Sequence, residues 1–218
     1  MKTLEKSDAG RAPGRPKDDA KRSAILQAAR CIFVEEGPAG ATIEAIAEAA
    51  GVSRVTIYSH FENKDRLMAA VLEEETRAFG SLSLALEGGT LSREEVRDAL
   101  IAFGSSLLDF VEQPHVVRSS RMMIGQANAM SGATKVFFEN GPLRMHRRLA
   151  RLIASAKAAG ALQTDDPEED ADFLIGMWRG LHHIELQLNA GPPRSRKSRY
   201  ERVRRAVDLY LAAREQKK

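Results

Sequence analysis

Thr42–Lys64, TIEAIAEAAGVSRVTIYSHFENK, reads as two short helices joined by a glycine turn. In the first, Ile43, Ile46, Ala47 and Ala50 recur at helical spacing on one face, and Thr42 supplies the hydroxyl of an N-cap. Gly51 can take a left-handed backbone without a Cβ clash, so it breaks the helix there. Val52 reads as a buried plug and Ser53 as the cap of the second helix. Ile57 and Phe61 anchor that helix inward, which leaves Arg54, Val55, Tyr58 and Ser59 outside. This is the pattern of a helix-turn-helix, whose second helix is free to enter the major groove of duplex DNA. An arginine at its start can bond a guanine edge through both arms of its guanidinium. Lys64, at the start of the next helix, stands where a cation and backbone N–H groups suit a phosphate.

Working outward, Ile25, Leu26, Ala29, Ile32 and Phe33 share one face of a preceding helix that Gly37-Pro38 stops. Residues 1–17 lack apolar periodicity and carry Gly10, Pro13, Gly14 and Pro16, so a flexible basic arm is expected there. Its Gly-Arg-Pro core at Gly14-Arg15-Pro16 is narrow enough to lay Arg15 into a minor groove; a solubilising tail is the plainer alternative. Downstream, Asn63 caps a long helix from Lys64, and Ser92 with Glu95 makes a capping box. Helices are expected at Leu143–Ala159, from Pro167 to about Leu188, and over a last segment holding Val203, Ala206, Val207, Tyr210 and Leu211. No alternating run would make a strand. The expected fold is all-α, about nine helices: a helix-turn-helix domain over 18–63, then a helical bundle over 64–218 for effector binding and dimerisation.

The segments ILQAARCIFVEEG, T-x-x-x-I-A-x-A-A-G-V-S and T-I-Y-S-H-F-E-N-K-D-R-L, together spanning about residues 23–67, resemble the TetR/AcrR family of regulators. The resemblance implies that Arg54–His60 is the recognition helix, with Arg54 and Val55 facing base edges. It places Thr42, Thr56, Tyr58, His60 and Lys64 at phosphate-touching positions, with Ser59 on the same outer face. It also implies double-stranded operator DNA and a second copy of the chain as partners. The stretch from Lys135 to Gly180 resembles one recurrent type of C-terminal domain in that family, with F-x-x-x-G-P-x-R, A-x-x-G-x-L and D-P-x-x-x-A-x-x-F in order.

In the bundle, Leu174, Met177, Trp178, Leu181, Ile184 and Leu188 form one apolar stripe, and Val203, Val207, Tyr210 and Leu211 belong to another. Both are expected at a four-helix dimer interface; packing within one subunit is the alternative. Soft and bulky residues among the middle helices, Phe103, Leu107, Met122, Met123, Phe137 and Met145, have polar Gln126 near them, and Trp178 and His182 lie one turn apart. Such a set lines a small-molecule site or forms plain core. Arg144, Arg147, Arg148 and Arg151 read as a solvated face.

Composition narrows the classes. The net charge is only +3, yet the first 22 residues carry seven basic residues against four acidic ones. One cysteine, Cys31, permits no intrachain disulfide and reads as a packed small side chain, in keeping with a reducing cytoplasm, where a DNA-binding chain is expected to be nucleoid-associated. No apolar run suggests a leader or a membrane span. His182 and His183, as neighbours on a helix, point about 100° apart and make a poor metal pair. No phosphate loop and no nucleophile elbow is present. No enzyme activity, cofactor or metal is therefore expected. The function expected is a repressor released from a pseudo-palindromic operator by an apolar small molecule. A ligand-independent regulator or chromosome-organising factor of the same fold is the alternative, and an all-helical enzyme with a borrowed head the more distant one.

Overall fold

The computed structural model describes residues 15–75, 91–125 and 131–214. Among these there are twelve helices and no strand. The first five are α1 (Arg15–Glu35), α2 (Gly37–Gly40), α3 (Ile43–Ala49), α4 (Arg54–His60) and α5 (Lys64–Glu75). Then follow α6 (Arg93–Val111), α7 (Pro114–Gly125), α8 (Ser131–Asn140) and α9 (Pro142–Ala158). The last are α10 (Pro167–Arg179), α11 (His182–Gln187) and α12 (Arg196–Ala213).

Local chemistry sets most of the boundaries. Thr42 Oγ1 accepts from Ala45 N at 3.1 Å and Ser53 Oγ from Thr56 N at 3.1 Å, which caps α3 and α4. Asn63 Oδ1 accepts from Arg66 N at 2.9 Å at the head of α5. The capping box at α6 is complete: Glu95 N donates to Ser92 Oγ at 3.2 Å, and Ser92 N donates to Glu95 Oε2 at 2.7 Å. Between α3 and α4, Gly51 has φ +65°, the left-handed turn that a helix-turn-helix needs.

Some boundaries differ from expectation. Helix α1 already begins at Arg15, so Arg15–Lys17 are helical and not part of an extended arm. Pro16 is tolerated because first-turn N–H groups have no partner to lose. Residues 1–14 and the Arg15 side chain lie outside the described residues. The helix expected from Pro167 to Leu188 is broken at Gly180, whose φ of 53° and ψ of −158° suit glycine alone. Arg202 of α12 fills the gap, donating from Nε to the Trp178 carbonyl at 2.6 Å and so satisfying an open end of α10.

Two cores organise the chain. The head core joins Ile25, Ala29 and Phe33 of α1 to Ile43 and Ile46 of α3, Ile57 of α4 and Leu67, Met68 and Val71 of α5. Helix α5 therefore belongs to the head as much as to the bundle, although the sequence reading assigned everything from Lys64 onward to the bundle. The bundle core joins α6, α9, α10 and α12, with Phe103, Leu149, Ile153, Leu174, Trp178, Val203 and Val207 fully or almost fully buried. Head and bundle meet where α1 and α2 pack on α7 and α5 packs on α8. Arg144 of α9 and Glu73 of α5 add an ion pair of 2.8 Å.

Candidate nucleic-acid interface and ligand cavity

Helix α4 is a seven-residue element with one apolar anchor of its own, Ile57, fully buried in the head core. Phe61, just past its end, is also buried and carries Arg22 5.3 Å over its ring. That orientation turns the opposite side outward. Val55 is 78% exposed and Tyr58 55% exposed, and Arg54 and Ser59 are exposed beside them. Exposed apolar groups beside a cation are what base edges and thymine methyls require. Thr42 is exposed at the start of α3, with its hydroxyl serving as the cap. Thr56 is half-buried, and its Oγ1 lies 2.9 Å from Ser53 Oγ. Ser59 Oγ donates to the Thr56 carbonyl at 2.8 Å.

Two of the residues expected at phosphates are otherwise engaged. Lys64 donates from Nζ to the carbonyls of Pro38 at 2.6 Å and Ala41 at 3.0 Å, so it ties α5 to the end of α2. His60 has a side chain only 10% exposed, with Nε2 3.2 Å from Asp18 Oδ1. In this conformation Lys64 and His60 brace the head from inside. Cys31 corrects the sequence reading the other way: it lies exposed on α1.

A cavity of about 160 Å³ lies between head and bundle. The head contributes Phe33, Pro38, Met68 and Leu72; the bundle contributes Leu107, Met122, Met123, Phe137 and Met145. Five residues of the expected ligand set thus line it: Leu107, Met122, Met123, Phe137 and Met145. Three others do not. Phe103 and Trp178 pack against each other inside the bundle core, ring centroids 6.4 Å apart. His182 points into a charged cluster, its Nδ1 2.7 Å from Glu185 Oε2 and its Nε2 3.9 Å from Glu112 Oε2. Gln126 lies outside the described residues. Sequence reasoning missed the head side of the wall, and also Arg179, Gln187 and His115. Burial, with the Arg30 charge adding to it, lowers the His115 pKa.

The expected dimer set divides. Leu174, Trp178, Val203 and Val207 are 0% exposed, and Tyr210 and Leu211 are buried as well. These six belong to the subunit's own core and are removed from the interface. Tyr210 Oη donates to buried Asp170 at 2.8 Å, and Asp170 also meets Arg214. Leu181 and Leu188 are each 74% exposed, with Ile184 between them and Phe173 on α10 exposed too; Met177 is half-buried. The basic stripe on α9 divides in the same way. Arg148 is buried, and burial with its arginine neighbours lowers its pKa, while Arg144 pairs with Glu73.

Comparison with known proteins agrees with this architecture. Residues 25–71 match the family described as bacterial regulatory proteins, tetR family. Residues 98–214 match the C-terminal domain of AefR-like transcriptional repressors. The chain is 29% identical over 208 residues to the HTH-type transcriptional activator FasR of Mycolicibacterium smegmatis, covering 84% of this chain and 93% of FasR. A TetR transcriptional regulator from Agrobacterium tumefaciens superposes with a TM-score of 0.74 at 25% identity, over 90% of this chain and 95% of that one. Bacillus subtilis FadR, solved with stearoyl-CoA, shares the fold at a TM-score of 0.60 and 14% identity, over 88% and 99% of the two chains. These relatives are regulators and not enzymes. Among the described residues no helix is long and apolar enough to cross a membrane. The head with its outward recognition helix, the helical bundle behind it and both family matches lead to one assignment: the chain belongs to the TetR family of DNA-binding transcriptional regulators.

Proposed function

We propose that this protein is a cytoplasmic, homodimeric repressor whose hold on a pseudo-palindromic operator is loosened by a small apolar molecule in the cavity between head and bundle. The observation that carries the reading is the cavity's wall. One side is the DNA head itself, through Phe33, Pro38, Met68 and Leu72. A ligand that swells this space presses on α1, α2 and α5, and α4 moves with them because they share one core. Two α4 helices of a dimer must sit about one helical turn apart, roughly 34 Å, to enter successive major grooves. A small rotation of each head therefore disturbs both contacts. The ligand shifts this equilibrium only by as much as it prefers the released geometry.

Repression is favoured by the repressor description of the matching C-terminal family. Activation is the second reading, because FasR carries an activator's name. Arg54, Val55, Tyr58 and Ser59 form the base-facing surface in this proposal, Thr42 and Thr56 its phosphate flank. The test selects bound duplexes from a random pool with purified protein and measures operator affinity by fluorescence anisotropy. Arg54→Ala is expected to weaken specific binding about fivefold to a hundredfold, from the loss of about 1–3 kcal/mol of base discrimination. Unchanged affinity and sequence preference would refute the recognition surface. Small compounds with apolar bodies, neutral and anionic alike, titrated into the protein–operator complex test release, and a complex that none of them weakens points to the ligand-independent regulator.

A further inference from the structure

The cavity is largely apolar; its polar lining is Arg30 from α1 and a strip from the bundle. There α7 contributes His115, Ser119 and Ser120, the end of α10 contributes Arg179, and α11 contributes Gln187. Helices α7 and α11 pack together, and Gln187 Nε2 donates to Ser120 Oγ at 3.2 Å. Two of these residues hold buried polar atoms with no hydrogen-bond partner: Arg179 Nε and Gln187 Oε1.

Arg179 stands half-buried at the end of α10, on this side of the cavity. The buried carboxylates are matched, Asp170 by Arg214 and Glu112 by Arg194 and Arg199. Arg179 has no carboxylate acting on it among the described residues, and burial alone lowers its pKa. Its one neighbour of note is His183, with Nη2 2.6 and 2.7 Å from the two ring nitrogens. Burial and the arginine's charge push that imidazole down to about 4, so at neutral pH it brings no charge of its own and none that could offset the guanidinium. A cation half withdrawn from water without a counter-charge is costly.

We propose that the effector is a small organic monoanion, a carboxylate on a short apolar body, with the carboxylate on Arg179 and Gln187 and the body against Leu107, Met123 and Met145. The Arg179 Nε–H, covered in this conformation, donates to one carboxylate oxygen once the side chain shifts toward the void. Gln187 supplies the second donor once its amide turns end for end, because the Ser120 hydroxyl can donate to the amide oxygen as readily as it accepts from the nitrogen. A void of about 160 Å³ suits one ring or a short chain, since an apolar cavity of about 150 Å³ takes up benzene. This inference rests on the reading of the cavity as the effector site and names the chemistry that enters it.

Phenylacetate and hexanoate, each beside its methyl ester, are titrated into the full-length protein by calorimetry. At least one carboxylate is expected to bind about tenfold to a hundredfold more tightly than its ester, the range of a charge-assisted hydrogen bond. The better of the two distinguishes a flat body from a flexible one. Arg179→Met is expected to abolish the preference while its Tm without ligand stays at or above the parent's, because an uncompensated charge has gone. A residue with a merely structural role would instead lower the Tm. An ester that binds as well as its acid, an Arg179→Met protein that keeps the preference, or no binding by either carboxylate overturns the proposal. The acid-against-ester comparison on the unaltered protein decides even where Arg179→Met fails to fold. Arg179-dependent binding that leaves operator affinity unchanged upholds the anion site and removes the release mechanism. Release by the esters alone does the reverse.

Discussion

Arg54 Nη1 lies 2.7 Å from Glu44 Oε1, so the first residue of the recognition helix is tied to α3 across the turn. The hydrogen bond between them is the main reason that the Glu44 carboxyl is held below its ordinary pKa and the Arg54 guanidinium above. Both groups are exposed, so the pair adds little to stability. Its consequence is for DNA. A guanidinium held by a carboxylate cannot present its fork to guanine until it is released, and the carboxylate itself repels phosphates. Glu44→Ala is therefore expected to tighten operator binding severalfold and to raise non-specific binding as well. Anisotropy titrations between about 50 and 200 mM salt check this. A variant that binds no more tightly than the parent shows that Glu44 does not compete for Arg54.

Leu181, Ile184 and Leu188 stand at i, i+3 and i+7 around the short helix α11, all exposed. An apolar ridge of this kind is the surface on which the proposed dimer would close. Leu181→Glu combined with Leu188→Glu is expected to turn a dimer into monomers in sedimentation experiments at micromolar concentration. Operator affinity should fall with it, because the two half-sites are no longer bound together. Leu174→Ala, only a few residues away, should act differently. It opens the subunit's own core and costs about 2–5 kcal/mol in denaturant unfolding. If the Leu181/Leu188 pair leaves the mass unchanged, this ridge is not a contact between two copies.

The contrast between Leu174 and Leu181 shows where sequence reading stops. Caps and glycine turns act within three or four residues, so Thr42, Gly51, Ser53, Asn63 and the Ser92–Glu95 box could all be located from the chain alone. The outward face of α4 followed from Ile57 and Phe61. An apolar stripe, however, reads the same whether it meets its own subunit or a second one, and six of the ten interface residues proved to be intramolecular core. The break at Gly180 was hidden because the residue that fills it, Arg202, comes from another helix. Lys64 reads as a phosphate ligand from its helix-start position, yet two carbonyls 23 and 26 residues earlier claim it. The cavity was legible only on its bundle side for the same reason: Phe33, Pro38, Met68 and Leu72 reach it from the head. One signal was present. Arg179 is a lone charge directly after Leu174, Ile175 and Trp178, and a charge within an apolar run asks for a partner.

Gly104 sits in the interior of α6 where α10 and α12 cross it. A Cβ there would lie 2.7 Å from Val203 Cγ1 and 2.8 Å from Trp178 Cε2. Both neighbours are fully buried and cannot step aside. Helix propensity alone would make Gly104→Ala stabilising by about 1 kcal/mol. Overpacking costs about 1–3 kcal/mol, so the net effect is expected to be destabilising. Thermal unfolding checks the sign, and a raised Tm would mean that the helices separate more easily than their packing implies.

The pKa of His183, pushed from 6.5 down to about 4 by burial and by Arg179, makes the bundle sensitive to acid. Above about pH 6.5 the imidazole is neutral in both the native and the unfolded chain, and pH has no leverage through it. Between 6.5 and 4 the unfolded chain binds a proton that the native state refuses. Unfolding is thereby favoured, and stability falls as the pH drops through that window. His115, with its pKa also lowered by burial and by Arg30, acts in the same direction. Paired carboxylates add their own loss below about pH 5, so the parent's curve alone does not isolate the histidine. Comparison with His183→Gln does. The parent's Tm is expected to fall more than the variant's between pH 7.5 and about 5, where the carboxylates of both proteins still behave alike. Parallel curves would mean that His183 protonates as readily in the folded protein as in the unfolded chain, and that Arg179 does not act on it.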